Sequence, residues 1–128
     1  MTKQKSVLGK KVQHAVDRLD TFKMTDQSLK RIEFVTHELA SLCPVTNQPD
    51  ISTCTIYYEP DEKFIESKSL KLFLWNFRDK GVFCEQLAIL IASRVMQDAQ
   101  PFHVHVEIKQ QSRGGIITTA HAEQDKTL

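Results

Sequence analysis

Hydrophobic positions change period several times along the chain, and each change marks an element. Leu8, Val12, Ala15, Val16 and Leu19 recur at helical spacing among Lys10, Lys11, Asp17 and Arg18. That spacing predicts a short amphipathic helix in an N-terminal arm, residues 1–28, packed on the main body or on a neighbouring subunit. From Ile32 to Leu39 the pattern is that of a strand, with Ile32, Phe34 and Thr36 on one face and Glu33 and Val35 on the other. Ser41 to Asp50 carries Pro44 and Pro49, so it reads as a long loop and not as helix or central strand. Thr53 to Tyr58 is a second strand, closed by Glu59-Pro60-Asp61. Leu70, Phe73, Leu74 and Phe77 then fall at i, i+3, i+4 and i+7, giving a helix over 67–78 that ends at Asp79-Lys80-Gly81. A second helix spans 84–99, with Leu87, Ala88, Ile91, Ala92 and Val95 as its apolar stripe and Pro101 at its exit. Phe102, Val104, Val106 and Ile108 alternate with His103, His105, Glu107 and Lys109 in a half-buried strand. Arg113-Gly114-Gly115 turns the chain into a fourth strand over 116–120, and residues 121–128 read as a frayed tail.

The order β-β-α-α-β-β describes one α+β domain over residues 29–120 with an antiparallel sheet. A four-stranded layer leaves two open edges, and open edges favour assembly, so a homo-oligomer joined through sheet edges is expected. At 128 residues there is room for one domain and its core, and a hydrophobic share of 41% makes wholesale disorder untenable. Seventeen basic against sixteen acidic residues leave a net charge of +1, which argues against sequence-independent coating of nucleic acid. Lys3, Lys5, Lys10 and Lys11 read as a solvated arm, the alternative being an anionic partner. Three cysteines without a secretory pattern point to free thiols in a reducing, cytoplasmic setting, and no apolar run approaches membrane-spanning length.

Three groups of residues carry candidate chemistry. Cys43 lies in a polar turn, unlike Cys54 in a strand interior, and a nucleophilic thiol needs a depressed pKa or a nearby base. Asp50, at the far end of the same loop, is the residue placed to exchange a proton with it. Glu66-Ser67-Lys68-Ser69-Leu70-Lys71 puts Lys68 and Lys71 on one face of a helix start, where lysines, hydroxyls and backbone N–H groups together suit a phosphate. Arg113 beside Gly114 adds a second anion contact. Neither GxGxxG nor a Walker A loop is present, so a nucleotide is not held in the Rossmann or P-loop manner. Phe83-Cys84-Glu85 opens the second helix. Glu85 there can accept two parallel hydrogen bonds from a guanine-like edge, and the helix N-terminus is expected to lower the Cys84 thiol. His103 and His105 share a strand face; they read as a polar sheet surface in the oligomer, with metal ligation as the alternative.

The runs Ser41–Asp50, Ile65–Leu72, Phe77-Arg78 with Gly81, Phe83 and Glu85, and Arg113–Ile116, in that order and spacing, resemble the unimodal QueF family of NADPH-dependent 7-cyano-7-deazaguanine reductases of the queuosine pathway. The resemblance covers residues 29–118. It implies a tunnelling fold (T-fold) related to GTP cyclohydrolase I, assembled into rings with active sites between subunits. It implies a small 7-deazaguanine substrate, NADPH as cofactor, no metal, no membrane and no direct nucleic-acid contact. Cys43 then matches the nucleophile that forms a covalent thioimide, and Asp50 the general acid. Glu85, Cys84, Glu66 and Ser67 match the substrate side; Ser67, Lys68, Lys71, Arg113 and Gly114 match the cofactor side. Two competing readings stand beside it. One is a QueF-like amidinotransferase, a group that lacks the Glu-Ser-Lys-Ser run retained here; the other is a non-reducing purine-binding T-fold protein. The chain departs from the family at Cys84, where the pattern has histidine, at Asn47 for glycine, and at Ser112 for proline. A Cys43–Cys84 disulfide or shared zinc ion would be a consequence of the first departure.

Overall fold

The structure is a computed structural model that describes residues 6, 8, 9, 11, 12 and 14–127. Four strands form one antiparallel sheet in the order β2-β3-β5-β6, where β2 is Ile32–Leu42, β3 Pro49–Glu59, β5 His103–Gln110 and β6 Thr119–Asp125. Two helices cover one face: α1, Ser67–Trp75, continued by a 3₁₀ turn over Asn76–Asp79, and α2, Cys84–Ala99. A small ribbon of β1, Thr21–Lys23, and β4, Lys63–Ile65, completes the elements and was not foreseen.

Alternation decides which side of the sheet meets the helices. Cys54, Ile56 and Tyr58 of β3 and Val104, Val106 and Ile108 of β5 point inward, against Leu87, Ala88, Ile91, Ala92 and Val95 of α2. The stripe foreseen for α2 is the buried one. Gln100 ends this helix in the left-handed region at φ 48°, immediately before Pro101. The buried Tyr58 hydroxyl accepts from the Ile65 N–H at 2.8 Å and so pins β4 to the core.

β2 contains the irregularity that matters most. Thr36 pairs with Cys54 and Leu39 with Ser52, so His37 and Glu38 together oppose Thr53 in a β-bulge. The extra residue inverts the parity of the strand. Ile32, Phe34 and Thr36 lean inward before the bulge; Leu39 and Ser41 are buried after it. The strand therefore runs three residues beyond Leu39, and the long loop expected over Ser41–Asp50 shortens to residues 43–48, with Leu42 pairing Pro49. Pro49 is tolerated because it is the first residue of its strand.

Both termini differ from expectation. Among the described residues of the arm there is no helix. The backbone hydrogen bonds go instead to the helical layer: Val16 N–H to the Leu72 carbonyl (3.3 Å) and Leu19 N–H to Asp98 Oδ2 (2.8 Å). Val16 and Leu19 are buried by that strap, which is what their spacing recorded. Lys3, Lys5 and Lys10 lie outside the described residues. The fourth strand begins at Thr119 rather than Ile116 and runs to Asp125 beside β5, so most of the expected frayed tail is sheet. Among the described residues no helix is long and apolar enough to cross a membrane.

Candidate active site

The chemistry gathers where the β2–β3 hairpin ends. Cys43 N–H donates to the Gln48 carbonyl at 2.8 Å and Asn47 N–H to the Cys43 carbonyl at 2.9 Å, with Asn47 left-handed at φ 59°. Asn supports that backbone because its short amide bonds locally. The closed turn aims donors at the sulfur. The Thr46 hydroxyl, then the backbone N–H groups of Thr46 and Val45, donate to Cys43 and lower its thiol from the ordinary value, against opposing contributions from burial and from the Asp50 charge. Such a turn is a nest of donors that favours the charged form of the sulfur. Thr46 went unremarked in the sequence, although a hydroxyl three residues after a turn cysteine is the signal that would have found it.

Asp50 sits on the second residue of β3 with its side chain buried. Its partner is Arg113, whose Nη1 also donates to the Pro49 carbonyl at 3.2 Å while Nη2 approaches Gln48 Oε1 at 3.5 Å. Arg113 reaches there from a tight turn in which Arg113 and Ile116 exchange backbone bonds at 2.9 and 3.1 Å and Gly114 and Gly115 take φ 60° and 81°. The structure thus places Arg113 on Asp50 and not beside Lys68 and Lys71.

The start of α2 is brought to the same place by a strand-like addition to the edge of β2. Leu42 N–H donates to the Lys80 carbonyl (2.9 Å) and Val82 N–H to the Leu42 carbonyl (3.1 Å), a parallel bridge of Leu42 with Gly81. A Cβ on Gly81 would stand 3.4 Å from Pro44 Cα, so residue 81 lies directly against the hairpin turn. Glu85 is exposed in the first turn of α2. The expectation for Cys84 is reversed. Its thiol is buried and pushed up to about 11, first by burial and then by the Glu85 carboxylate that accepts from it, with Asp50 adding its charge. Desolvation outweighs the helix terminus. Cys54, as expected, is inert: burial raises it to about 12.

The α1 group lies apart. Glu66 is the N-cap of α1, its two carboxylate oxygens accepting from Lys68 N–H (2.8 Å) and Ser69 N–H (2.7 Å). Those donors, counted above toward a phosphate, are taken by the cap. Ser67 and Lys71, with Arg78, edge a cleft of about 430 Å³ between α1 and β2, walled by Phe34, Leu39 and Leu74. Arg78 stacks over Trp75 at 4.2 Å in the same cleft. None of Cys43, Asp50, Glu85 or Arg113 lines it. On the open face of the sheet, His103 and His105 do not act together. His105 Nε2 meets His121 Nδ1 at 2.8 Å, and His103 meets Asp125 at 2.7 Å and Glu123 at 3.2 Å. Among the described residues no three His, Cys, Asp or Glu side chains converge as a metal site.

A model of the QueF-like protein family matches residues 49–127, from the start of β3 past the end of β6. The chain belongs to the QueF-like family. It is 42% identical over 98 residues to the NADPH-dependent 7-cyano-7-deazaguanine reductase of Alkalilimnicola ehrlichii, covering 73% of this chain and 76% of that one. The enzyme of the same name from Nitrosomonas europaea is 39% identical over 110 residues, 85% and 79% of the two chains. With the Exiguobacterium sibiricum reductase identity is 46% over 85 residues, 66% of this chain and about half (52%) of that longer one. Among solved structures, the archaeosine synthase QueF-Like in its apo form superposes with a TM-score of 0.71 at 20% identity, over 77% of this chain and 97% of that one. At such identity the likeness is one of fold, and the fold is the T-fold expected for QueF-like proteins.

Proposed function

We propose that this QueF-like protein reduces the nitrile of 7-cyano-7-deazaguanine to an aminomethyl group, with NADPH as reductant, through a covalent thioimide on Cys43. The observation that carries the reading is the Cys43 thiol, lowered by the donors of its own turn and set beside the buried Asp50. A nitrile carbon is a weak electrophile. Addition needs a thiolate and, at the nitrogen where negative charge develops, a proton. Cys43 supplies the first and Asp50 the second. Glu85, exposed beside Cys84, is placed to accept the ring N–H and exocyclic amine of the deazaguanine edge, an arrangement worth more than one hydrogen bond because both are charge-assisted.

The α1 cleft fits a phosphate-bearing dinucleotide in its donor set: Lys71 and Arg78 as cations, Ser67 as a hydroxyl, and apolar walls for a ring. Lys68, on the same helix, belongs to the same set. When bound, NADPH supplies hydride, two per nitrile, with two protons completing the amine. The Glu-Ser-Lys-Ser run favours reduction over amidine formation. Val45, Phe83, Ile116 and Ile117 expose apolar side chains from the three segments that meet at Cys43 and Asp50. Their exposure supports a site completed by a neighbouring subunit, with sheet edges β2 and β6 available for the joint.

The test is incubation with 7-cyano-7-deazaguanine, with and without NADPH, followed by intact-protein mass and by cofactor absorbance. An adduct on Cys43 without cofactor, and oxidation of two NADPH per nitrile with it, are expected; Cys43→Ala abolishes both. An adduct with no oxidation in the complete mixture places the chain with amidine-forming relatives. Neither adduct nor oxidation refutes the enzyme reading and leaves a purine-binding protein.

A further inference from the structure

Ser67, Leu70, Lys71 and Leu74 of α1 face the cleft against β2. At about 3.6 residues per turn, Ser69, Leu72 and Asn76 fall on the opposite side of that helix. The N-terminal strap holds this second side along its whole length. Thr21 pairs with Ile65 just before the helix, and Glu66 N–H donates to the Asp20 carbonyl at 2.8 Å. The buried Ser69 hydroxyl accepts from Asp20 N–H at 2.8 Å, so the second serine of the Glu-Ser-Lys-Ser run serves the strap. Val16 N–H donates to the Leu72 carbonyl at 3.3 Å, and the Val16 carbonyl accepts from the Asn76 side-chain amide. The strap's other anchor is on α2. Leu19 N–H donates to Asp98 Oδ2 at 2.8 Å, and Arg94 lies 3.6 Å from both Asp98 and Asp17. Neither Asp98 nor any described residue of the strap lines the cleft.

We propose that the strap is a tie that holds α1 off β2 and keeps the cleft open for NADPH, with Ser69 and Asp98 as its positioning residues. This rests on the reading of the α1 cleft as the cofactor site. Two physical arguments carry it. A cleft walled by Phe34, Leu39 and Leu74 gains by closing, because apolar surface leaves water when α1 moves onto β2. And α1, at nine residues, is too short to hold its own shape without tertiary support. Leu70 and Phe73 seat it on the core, but they do not fix its distance from β2. The strap does, by gripping the side turned away from the cleft from the residue before the cap to the end of the helix. A cleft held open in advance spares the cofactor the cost of ordering α1. The tie acts on cofactor affinity and leaves the covalent step at Cys43 alone, since no strap bond reaches the hairpin turn.

The experiment compares the parent chain with Asp98→Ala, Asp98→Asn and Ser69→Ala in three measurements. These are NADPH binding by cofactor fluorescence, amide hydrogen exchange over residues 66–76, and the rate of Cys43 adduct formation from 7-cyano-7-deazaguanine without NADPH. In Asp98→Ala and Ser69→Ala the Kd and KM for NADPH are expected to rise about three- to tenfold, the range that loss of one hydrogen bond gives. Exchange over 66–76 quickens in both, while the adduct rate and kcat at saturating NADPH stay at the parent's values. Asp98→Asn keeps an acceptor oxygen for Leu19 N–H and recovers most of the affinity. A loss of adduct rate and kcat with unchanged NADPH affinity marks a merely architectural strap and overturns the proposal. So does weaker binding in Ser69→Ala with Asp98→Ala at the parent's value, since that makes Ser69 a direct ligand. If Ser69→Ala does not fold, Asp98→Ala decides alone: raised Kd with a spared adduct rate upholds the tie, and parental Kd overturns it. A parent chain that binds no NADPH is a different result and refutes the cofactor reading of the cleft, and the tie with it.

Discussion

Glu66 stands in the substrate set that the family resemblance implies, whereas the structure makes it the N-cap of α1, and one substitution separates the two roles. In Glu66→Ala, Lys68 N–H and Ser69 N–H lose their acceptor. Loss of a capping side chain costs about 0.5–2 kcal/mol. Two charge-assisted bonds at a half-buried position put this case in the upper part of that range, about 1–2 kcal/mol. With an unfolding entropy near 2.1 cal/mol/K per residue, 128 residues give about 0.27 kcal/mol/K, so the thermal midpoint falls by about 4–7 °C. Glu66→Asp keeps a good capping carboxylate on a shorter stem and retains most of the stability. A side chain reaching for substrate would tolerate neither change. Thermal and urea unfolding of both variants, alongside the rate of Cys43 adduct formation, reads the distinction. Unchanged stability in Glu66→Ala with a lost adduct would refute the capping argument and return Glu66 to the substrate.

Alkylation mapped by peptide mass should modify Cys43 long before Cys84 or Cys54, because the first thiol is lowered while the others sit near 11 and 12; Thr46→Val should slow Cys43 selectively, and first labelling at Cys84 would contradict the nest. His103 is raised by its hydrogen bond to Asp125 and by the nearby acid charges. A raised folded-state value contributes stability that is fully present below the unfolded value of about 6.5 and is lost as pH rises through the folded one. The urea midpoint should therefore drop as pH rises above about 6.5, and Asp125→Asn should flatten that part of the curve; an Asp125→Asn profile parallel to the parent's would remove His103 as its cause.

Much of the architecture is legible because burial writes itself into spacing. Leu87, Ala88, Ile91, Ala92 and Val95 announce α2 because a helix must bury one stripe, and Val104, Val106 and Ile108 announce β5 for the analogous reason. The arm misleads through the same logic. Val16 and Leu19 are three apart and both buried, but an irregular strap that bends at Asp17 and Arg18 and bonds to two helices can bury residues at that spacing too. Hydrophobicity records which residues are covered and says nothing of where the backbone N–H groups go. The tail fails for the opposite reason: Thr119 to Asp125 is polar, and its strand character comes from pairing with β5 along a solvent-facing edge, which composition does not report.

The site is less legible still, since it depends on a register defect and on a charge contact between distant segments. Without the bulge at His37 and Glu38, the strand would keep its parity, Leu39 and Ser41 would turn to solvent, and the hairpin end would be displaced by one position relative to Asp50. The bulge and the Leu42–Gly81 bridge act together. One sets how the chain arrives at Cys43, and the other draws the start of α2 to the same edge. Arg113 then joins from 63 residues away in sequence. A basic residue beside two glycines looks from the sequence like a free anion ligand, because nothing nearby in the chain hints that an aspartate will already hold it. What the fold adds is therefore the pairing itself, Arg113 on Asp50 across two separate turns of the chain.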